Sequence, residues 1–223
     1  MTEHHKCHQT NNIITSKDMH NISQVVDKSS LSMPLVAVYC GSRMGNGTLY
    51  VDTAKQLGKA LADNGLGLVY GGASIGLMGM VADAVVDNEG EAVGVIPSFM
   101  LEREIAHARL TKLHLTDTMH TRKAIMAEYA DAFITLPGGL GTLEEITEIA
   151  TWRQLFQHQK PMIILNINGY YDHFIKHLRH SADEGFIGSH DLENLLVCDG
   201  VEQAIELLQD VVLIKDNLPA QRI

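Results

Sequence analysis

Between Leu136 and Trp152 the chain reads LPGGLGTLEEITEIATW, in which Gly138, Gly139 and Gly141 precede a helix-forming run with two adjacent carboxylates, Glu144 and Glu145. Glycines ahead of a helix expose backbone N–H groups and the positive end of the helix dipole, an arrangement suited to phosphate. Thr142 and Glu145 also have the spacing of a capping box, in which Thr at the N-cap and Glu three residues later satisfy each other's backbone donors. That alternative gives Glu145 a structural role with no chemistry. Against it stands the glycine content, since a cap needs one glycine and the others leave a bare cradle. A carboxylate beside a phosphate cradle points to chemistry on a nucleotide. Glu144 lies about 100° around a helix from Glu145, so the two cannot face the same ligand.

A second glycine turn, YGGASIGLMGMVADAV, runs from Tyr70 to Val85. Gly71 and Gly72 allow a tight exit from a strand, and Gly76 and Gly79 let backbone approach either a phosphate or another element closely. Both readings are open on the residues alone. CGSRMGNGT (Cys40–Thr48) is a third and weaker loop of the same kind.

Other chemistry-bearing residues read as structural. His173, His177 and His180 share one face of a predicted helix at a spacing that could hold zinc, but no second cluster accompanies them. His4, His5 and His8 fall in a polar segment that reads as a solvated extension, so no metal is expected. His120 reads as a satisfied structural histidine, and Tyr170 and Tyr171 as packing at a helix entry. Cys7, Cys40 and Cys198 are odd in number and widely spaced, with no CxxC pair, which indicates neither a disulfide framework nor a zinc knuckle.

Short apolar runs alternate with amphipathic stretches from Pro34 onward. Strands are predicted at Leu35–Cys40, Leu66–Tyr70, Ala92–Pro97, Lys112–Leu115, Ala132–Pro137, Pro161–Ile167 and Leu195–Cys198. Helices are predicted near Leu49–Asn64, Leu77–Asn88, Met119–Tyr129, Thr142–Phe156, Tyr170–Asp183 and Val201–Gln209. Runs apolar at successive positions suit strands buried on both faces, so the pattern predicts a Rossmann-like α/β fold, a mostly parallel sheet with helices on both faces. In such sheets ligands bind beyond the carboxyl ends of the strands, and both glycine-rich turns directly follow predicted strands.

The chain has 223 residues, 45% hydrophobic and 20% charged, which suits one α/β domain over residues 34–223 behind a flexible polar tail over residues 1–33. A formal net charge of −10 offers little attraction to a nucleic-acid backbone, so no polymeric nucleic acid is expected as partner. No apolar run approaches the roughly 20 residues of a membrane-spanning helix, and no secretory pattern opens the chain, so no membrane partner and a cytoplasmic location are expected.

Leu77–Met78–Gly79 after Gly71–Gly72, Met119-His-x-Arg122-Lys123, and Pro137-Gly-Gly-x-Gly-Thr-x-x-Glu145 followed by Thr151–Trp152 together resemble the LONELY GUY family from about Val36 to the last helix. Members are cytokinin riboside 5′-monophosphate phosphoribohydrolases, once widely labelled lysine decarboxylases. The resemblance implies cleavage of the N-glycosidic bond of an N6-modified adenosine 5′-monophosphate, without cofactor or metal, by a homodimer. Carried onto this chain, the catalytic pair falls on Arg122 and Glu145. Ligand contacts fall on Glu104, Lys123, Gly138, the backbone from Gly139 through Leu140, Gly141 and Thr142 to Glu145, and Thr151, with Gly71, Gly72, Gly76 and Gly79 in the other turn. Ala73 and Leu140 depart from the plant pattern, which has a glycine and an aromatic there. Without the resemblance Arg122 reads as a surface arginine. Two other activities fit the same motifs: a general AMP hydrolase of salvage, and a nucleotide-binding protein with no turnover. Lysine decarboxylation fits poorly, because it borrows its electron sink from pyridoxal phosphate and Lys123 is the only lysine near a motif.

Overall fold

The computed structural model describes residue 28, residues 31–101 and residues 106–216. Its strands are β1 (Leu35–Tyr39), β2 (Gly67–Tyr70), β3 (Ala92–Pro97), β4 (Lys112–Thr116), β5 (Ala132–Thr135), β6 (Met162–Leu165) and β7 (Leu195–Cys198). They form one sheet in the order β4-β3-β2-β1-β5-β6-β7, and every pairing is parallel. The inner strands are buried along their whole length, which is why they read as unbroken apolar runs. Edge strand β4 alternates instead, with Leu113 and Leu115 exposed.

The helices are α1 (Leu49–Asp63), α2 (Gly76–Asp87), α3 (Met119–Tyr129), α4 (Leu140–Gln154), α5 (Asp172–Asp183), α6 (Ser189–Glu193) and α7 (Val201–Asp216). On one face of the sheet α1, α2 and α7 bury Leu57, Leu61, Val81, Val85, Ile205 and Leu208 against Val36, Val38, Leu68 and Ile163. On the other, α3 and α4 bury Ile125, Met126 and Ile149 against Ala37, Tyr39, Val69 and Phe133. Gly58 brings α1 so near α2 that a Cβ there would stand 2.4 Å from the Val81 carbonyl oxygen.

The predicted elements are present with small shifts at their ends, and α6 is an addition. The expected tail lies mostly outside the described residues, but its last part is held: the Ser32 backbone N–H donates to Glu91 at 3.0 Å and its hydroxyl at 2.8 Å. Among the described residues no helix is long and apolar enough to cross a membrane.

The strand order reverses between β1 and β5. From β1 the chain builds outward through β2, β3 and β4, then returns to the other side for β5, β6 and β7. The loops that leave β1 and β5 therefore diverge and open a crevice, the position where doubly wound folds bind ligand.

Candidate active site

Backbone pairing between β1 and β5 continues past the strand ends, with Leu136 N–H donating to the Tyr39 carbonyl at 2.9 Å and Gly41 N–H to Pro137 at 3.1 Å. The chain then turns at Gly138 and enters α4 with Gly139 as N-cap, where no side chain caps the helix. The predicted capping box does not form. Helix α4 begins two residues before Thr142, so Thr142 sits inside the first turn, 3% exposed, with its hydroxyl folded under Gly138; a Cβ on Gly138 would lie 2.1 Å from it. The first helical bond runs from Leu143 N–H to the Gly139 carbonyl at 3.1 Å, leaving the amides of Leu140, Gly141 and Thr142 ahead of it in the unsatisfied first turn. Gly139 and Gly141 have no neighbour that an added Cβ would meet within 4 Å among the described residues, and Leu140 is 87% exposed.

Arg122 approaches from α3, whose N-cap Thr118 accepts the Thr121 N–H at 3.1 Å. It does not take the surface position that it would have without the resemblance: Arg122 is 5% exposed. Its guanidinium fills the space above Gly71, where a Cβ would be 1.9 Å from Nη2, and Nη1 lies 3.7 Å from the Met119 sulfur. Among the described residues its buried Nε has no hydrogen-bond partner, which is rare for a charged donor and marks a group awaiting an acceptor.

Arg122 and Glu145 act on the same two residues at the end of β1. Burial first, and the Glu145 carboxylate next, push the Tyr39 phenol well above its ordinary pKa, while Arg122 pulls it back. The Cys40 thiol is raised by burial and then by Glu145, and again Arg122 opposes. The sequence motifs, 23 positions apart in number, thus deliver opposite charges to one end of one strand.

Lys123 follows Arg122 on α3. Its ammonium pairs with Glu144 and, at 3.0 Å, with Glu148, tying α3 to α4. Burial alone would lower its pKa, but the two carboxylates outweigh this and hold it above the usual lysine value. Thr151 is exposed, donates its hydroxyl to the Thr147 carbonyl at 2.8 Å, and lines an apolar groove among α4, α5 and α6 with Ile146, Phe174 and Ile187, away from the crevice. Glu104 lies outside the described residues. His120 is exposed at the start of α3 and is no structural core histidine. His173, His177 and His180 are exposed on α5, and among the described residues no group of three or more His, Cys, Asp or Glu is placed to hold a metal.

In the glycine turn after β2 the packing alternative holds for Gly76 and Gly79. Gly76 has φ +64° and presses on Ser42, where a Cβ would be 2.3 Å from the carbonyl carbon; Gly79 presses equally on the Ser74 carbonyl. The Leu77 N–H at the start of α2 donates to Gly41 at 3.0 Å, so protein uses that amide. Gly72, at φ +77°, offers its carbonyl to His107 N–H at 3.0 Å.

The weakest of the three loops contributes most to the crevice. Gly41, Ser42, Arg43 and Gly45 after β1 face Gly138 and Gly139 across a cleft of about 510 Å³, closed at the sides by Tyr50 and Tyr170. From sequence Ser42 and Arg43 counted only as part of the weakest loop and Tyr170 as helix-entry packing, and Tyr50 was missed. The signal that finds them is the strand order, because only the central position of β1 puts its loop opposite the PGG turn.

Comparison with known proteins agrees with this arrangement. The family described as "Possible lysine decarboxylase" matches residues 78–208. The cytokinin riboside 5′-monophosphate phosphoribohydrolase of Rhodococcoides fascians is 48% identical over 175 residues, 78% of this chain and 88% of that protein. One from Arabidopsis thaliana is 40% identical over 188 residues, 84% of this chain and 88% of that protein. Among solved structures, the molybdenum cofactor binding protein of Rippkaea orientalis superimposes with a TM-score of 0.62 at 22% identity, covering 82% of this chain and 99% of that one, a likeness of fold. By this identity and coverage, and by the family match over more than half of its length, the chain belongs to the family of the cytokinin riboside 5′-monophosphate phosphoribohydrolases.

Proposed function

We propose that this enzyme hydrolyses the N-glycosidic bond of an N6-modified adenosine 5′-monophosphate, releasing the free cytokinin base and ribose 5-phosphate. The observation that carries the reading is the uncapped, glycine-lined start of α4 beside the end of β1, where Glu145 and Arg122 exert opposing electrostatic effects on Tyr39 and Cys40. The 5′-phosphate lies against the first-turn amides of α4, where the helix dipole favours an anion. As the bond from C1′ to the base nitrogen lengthens, positive charge grows on the ribose, and the Glu145 carboxylate stabilises it. The same carboxylate takes a proton from the water that attacks C1′. The bonding electrons leave with the base, which takes up a proton from solvent water while Glu145 returns to solvent the proton it took. A guanidinium is a poor proton donor, so the part of Arg122 is to orient the ligand and stabilise negative charge on the departing base. Lys123, engaged by Glu144 and Glu148, fixes α3 to α4 and so the distance between the pair.

The family description as a lysine decarboxylase finds little support in Lys123. A Schiff-base lysine must be neutral to react, and two carboxylates hold this one protonated.

The test is release of free base from isopentenyladenosine 5′-monophosphate and from AMP by wild type and Glu145→Gln, with thermal melts of both. Glutamine matches glutamate in shape and keeps an acceptor oxygen, so the variant should stay folded, and the melts check this. A loss of at least about a hundredfold in rate is expected. The ratio of the two substrates separates cytokinin release from general salvage. Binding without cleavage by wild type overturns the hydrolase reading in favour of a non-catalytic one.

The reading extends to a homodimer in the cytoplasm, where nucleoside monophosphates are found. Thr151 supports a second copy: as a ligand contact it faces a groove that its own crevice does not reach, and Leu155, Phe156 and Phe186 beside that groove are exposed. Light scattering should give twice the 24.5 kDa of the chain. A monomer with full activity would refute it.

A further inference from the structure

Two consecutive tyrosines at the entry to α5 turn their hydroxyls toward the PGG segment. Tyr171 is buried and donates to the Leu136 carbonyl at 2.7 Å; Tyr170, 43% exposed, donates to the Gly138 carbonyl at 2.5 Å. Asn166 sets their position, accepting the Tyr171 N–H at 2.7 Å and donating to Asp172 at 2.8 Å. The Tyr170 ring stands edge-on to Tyr171, with centroids 4.9 Å apart, and to Tyr50, with centroids 5.7 Å apart. Tyr50 in turn covers Gly45, where a Cβ would be 2.7 Å from the ring. Loops that follow β1, β5 and β6 are thereby joined across the cleft.

The Gly138–Gly139 peptide has no side chain on either flank, so few steric terms fix its orientation. In a planar trans peptide the C=O and the following N–H point in opposite directions. A hydroxyl that holds the Gly138 carbonyl on one side therefore directs the Gly139 N–H to the other. Gly139 is also the N-cap of α4, so this plane sets the direction from which the free amides of the first turn begin.

We propose that Tyr170 is a positioning residue for anion binding: its hydroxyl locks the Gly138–Gly139 peptide so that the amides at the start of α4 face a phosphate, and Tyr50 braces its ring. The proposal rests on the reading above only in taking a nucleoside 5′-monophosphate as ligand. It goes beyond helix-entry packing, the role that spacing alone suggests.

Calorimetric titration of wild type and Tyr170→Phe with AMP and with adenosine tests it, beside thermal melts. Tyr170→Phe keeps the ring contacts and removes one hydrogen bond. AMP affinity should fall about three- to tenfold with adenosine affinity unchanged, and in turnover the loss should appear in KM with kcat within about twofold. An equal loss for both ligands, or none for AMP, overturns the proposal, as does a wild type that binds no AMP. If Tyr170→Phe does not fold, Tyr50→Leu removes the brace and leaves the hydroxyl. A smaller loss specific to AMP is then expected, and no loss overturns the proposal. A wild type that binds AMP with this sensitivity but cleaves no nucleotide rejects the hydrolase reading and retains this one.

Discussion

The turns after β2 and after β5 are both glycine-rich and both lead from a buried strand into a helix, yet protein fills the first and, beyond Gly138, leaves the second bare. Added Cβ atoms at Gly71, Gly76 and Gly79 would strike Arg122, Ser42 and Ser74 at 1.9, 2.3 and 2.1 Å. At Gly139 and Gly141 they would meet nothing within 4 Å. The same composition thus serves two purposes. In one turn glycine admits neighbouring protein, and in the other it clears a surface of amides. Glycine count is therefore a poor guide to ligand binding, and what stands over each Cα is a good one.

Substitutions can break this contrast. Gly76→Ala should have the largest effect, because a Cβ meets backbone and the φ of +64° is unfavourable for alanine; chemical denaturation should show a loss of about 3 kcal/mol or more. An unchanged midpoint would show that the Ser42 loop moves aside freely. Gly141→Ala should do the reverse to fold and function. It lies in the second position of α4 with open space around it, so stability should rise by about 0.5 kcal/mol. AMP affinity should drop about tenfold as the methyl group covers amides. If affinity holds, the phosphate lies elsewhere. The smallest effect sharpens the rule from outside both turns. Glu89 sits at φ +61° and is exposed, a left-handed position held by a residue with a Cβ, so Glu89→Gly should raise stability by about 1 kcal/mol in a thermal melt.

Much of the fold was legible because apolar periodicity survives in local sequence. The bounds of α3, β3 and β7 agree residue for residue with the pattern, since burial on a sheet or against it dictates residue type at each step. The start of α4 was not, because Thr142 and Glu145 mimic a cap while Gly139 is the cap. Helix α6, of only five residues, is too short to show a period. At the site, Arg122 and Glu145 were named by resemblance, and the roles proposed for them come from chemistry. The burial of Arg122 was not, for it depends on Gly71, distant in sequence and supplied by another strand. Tyr170 was hidden for the same reason, since its hydroxyl acts on a carbonyl 32 residues away. Long-range contacts leave no local trace, and the third loop gained its weight only when β1 proved central.

The guanidinium lodged over Gly71 also ties two positions into one unit of inheritance. Any side chain at 71 evicts Arg122, so a lineage that keeps the arginine must keep the glycine. Once the arginine is lost, residue 71 is released and can drift. Descendants that have abandoned this chemistry should therefore carry both changes, and the glycine should never be the first to go.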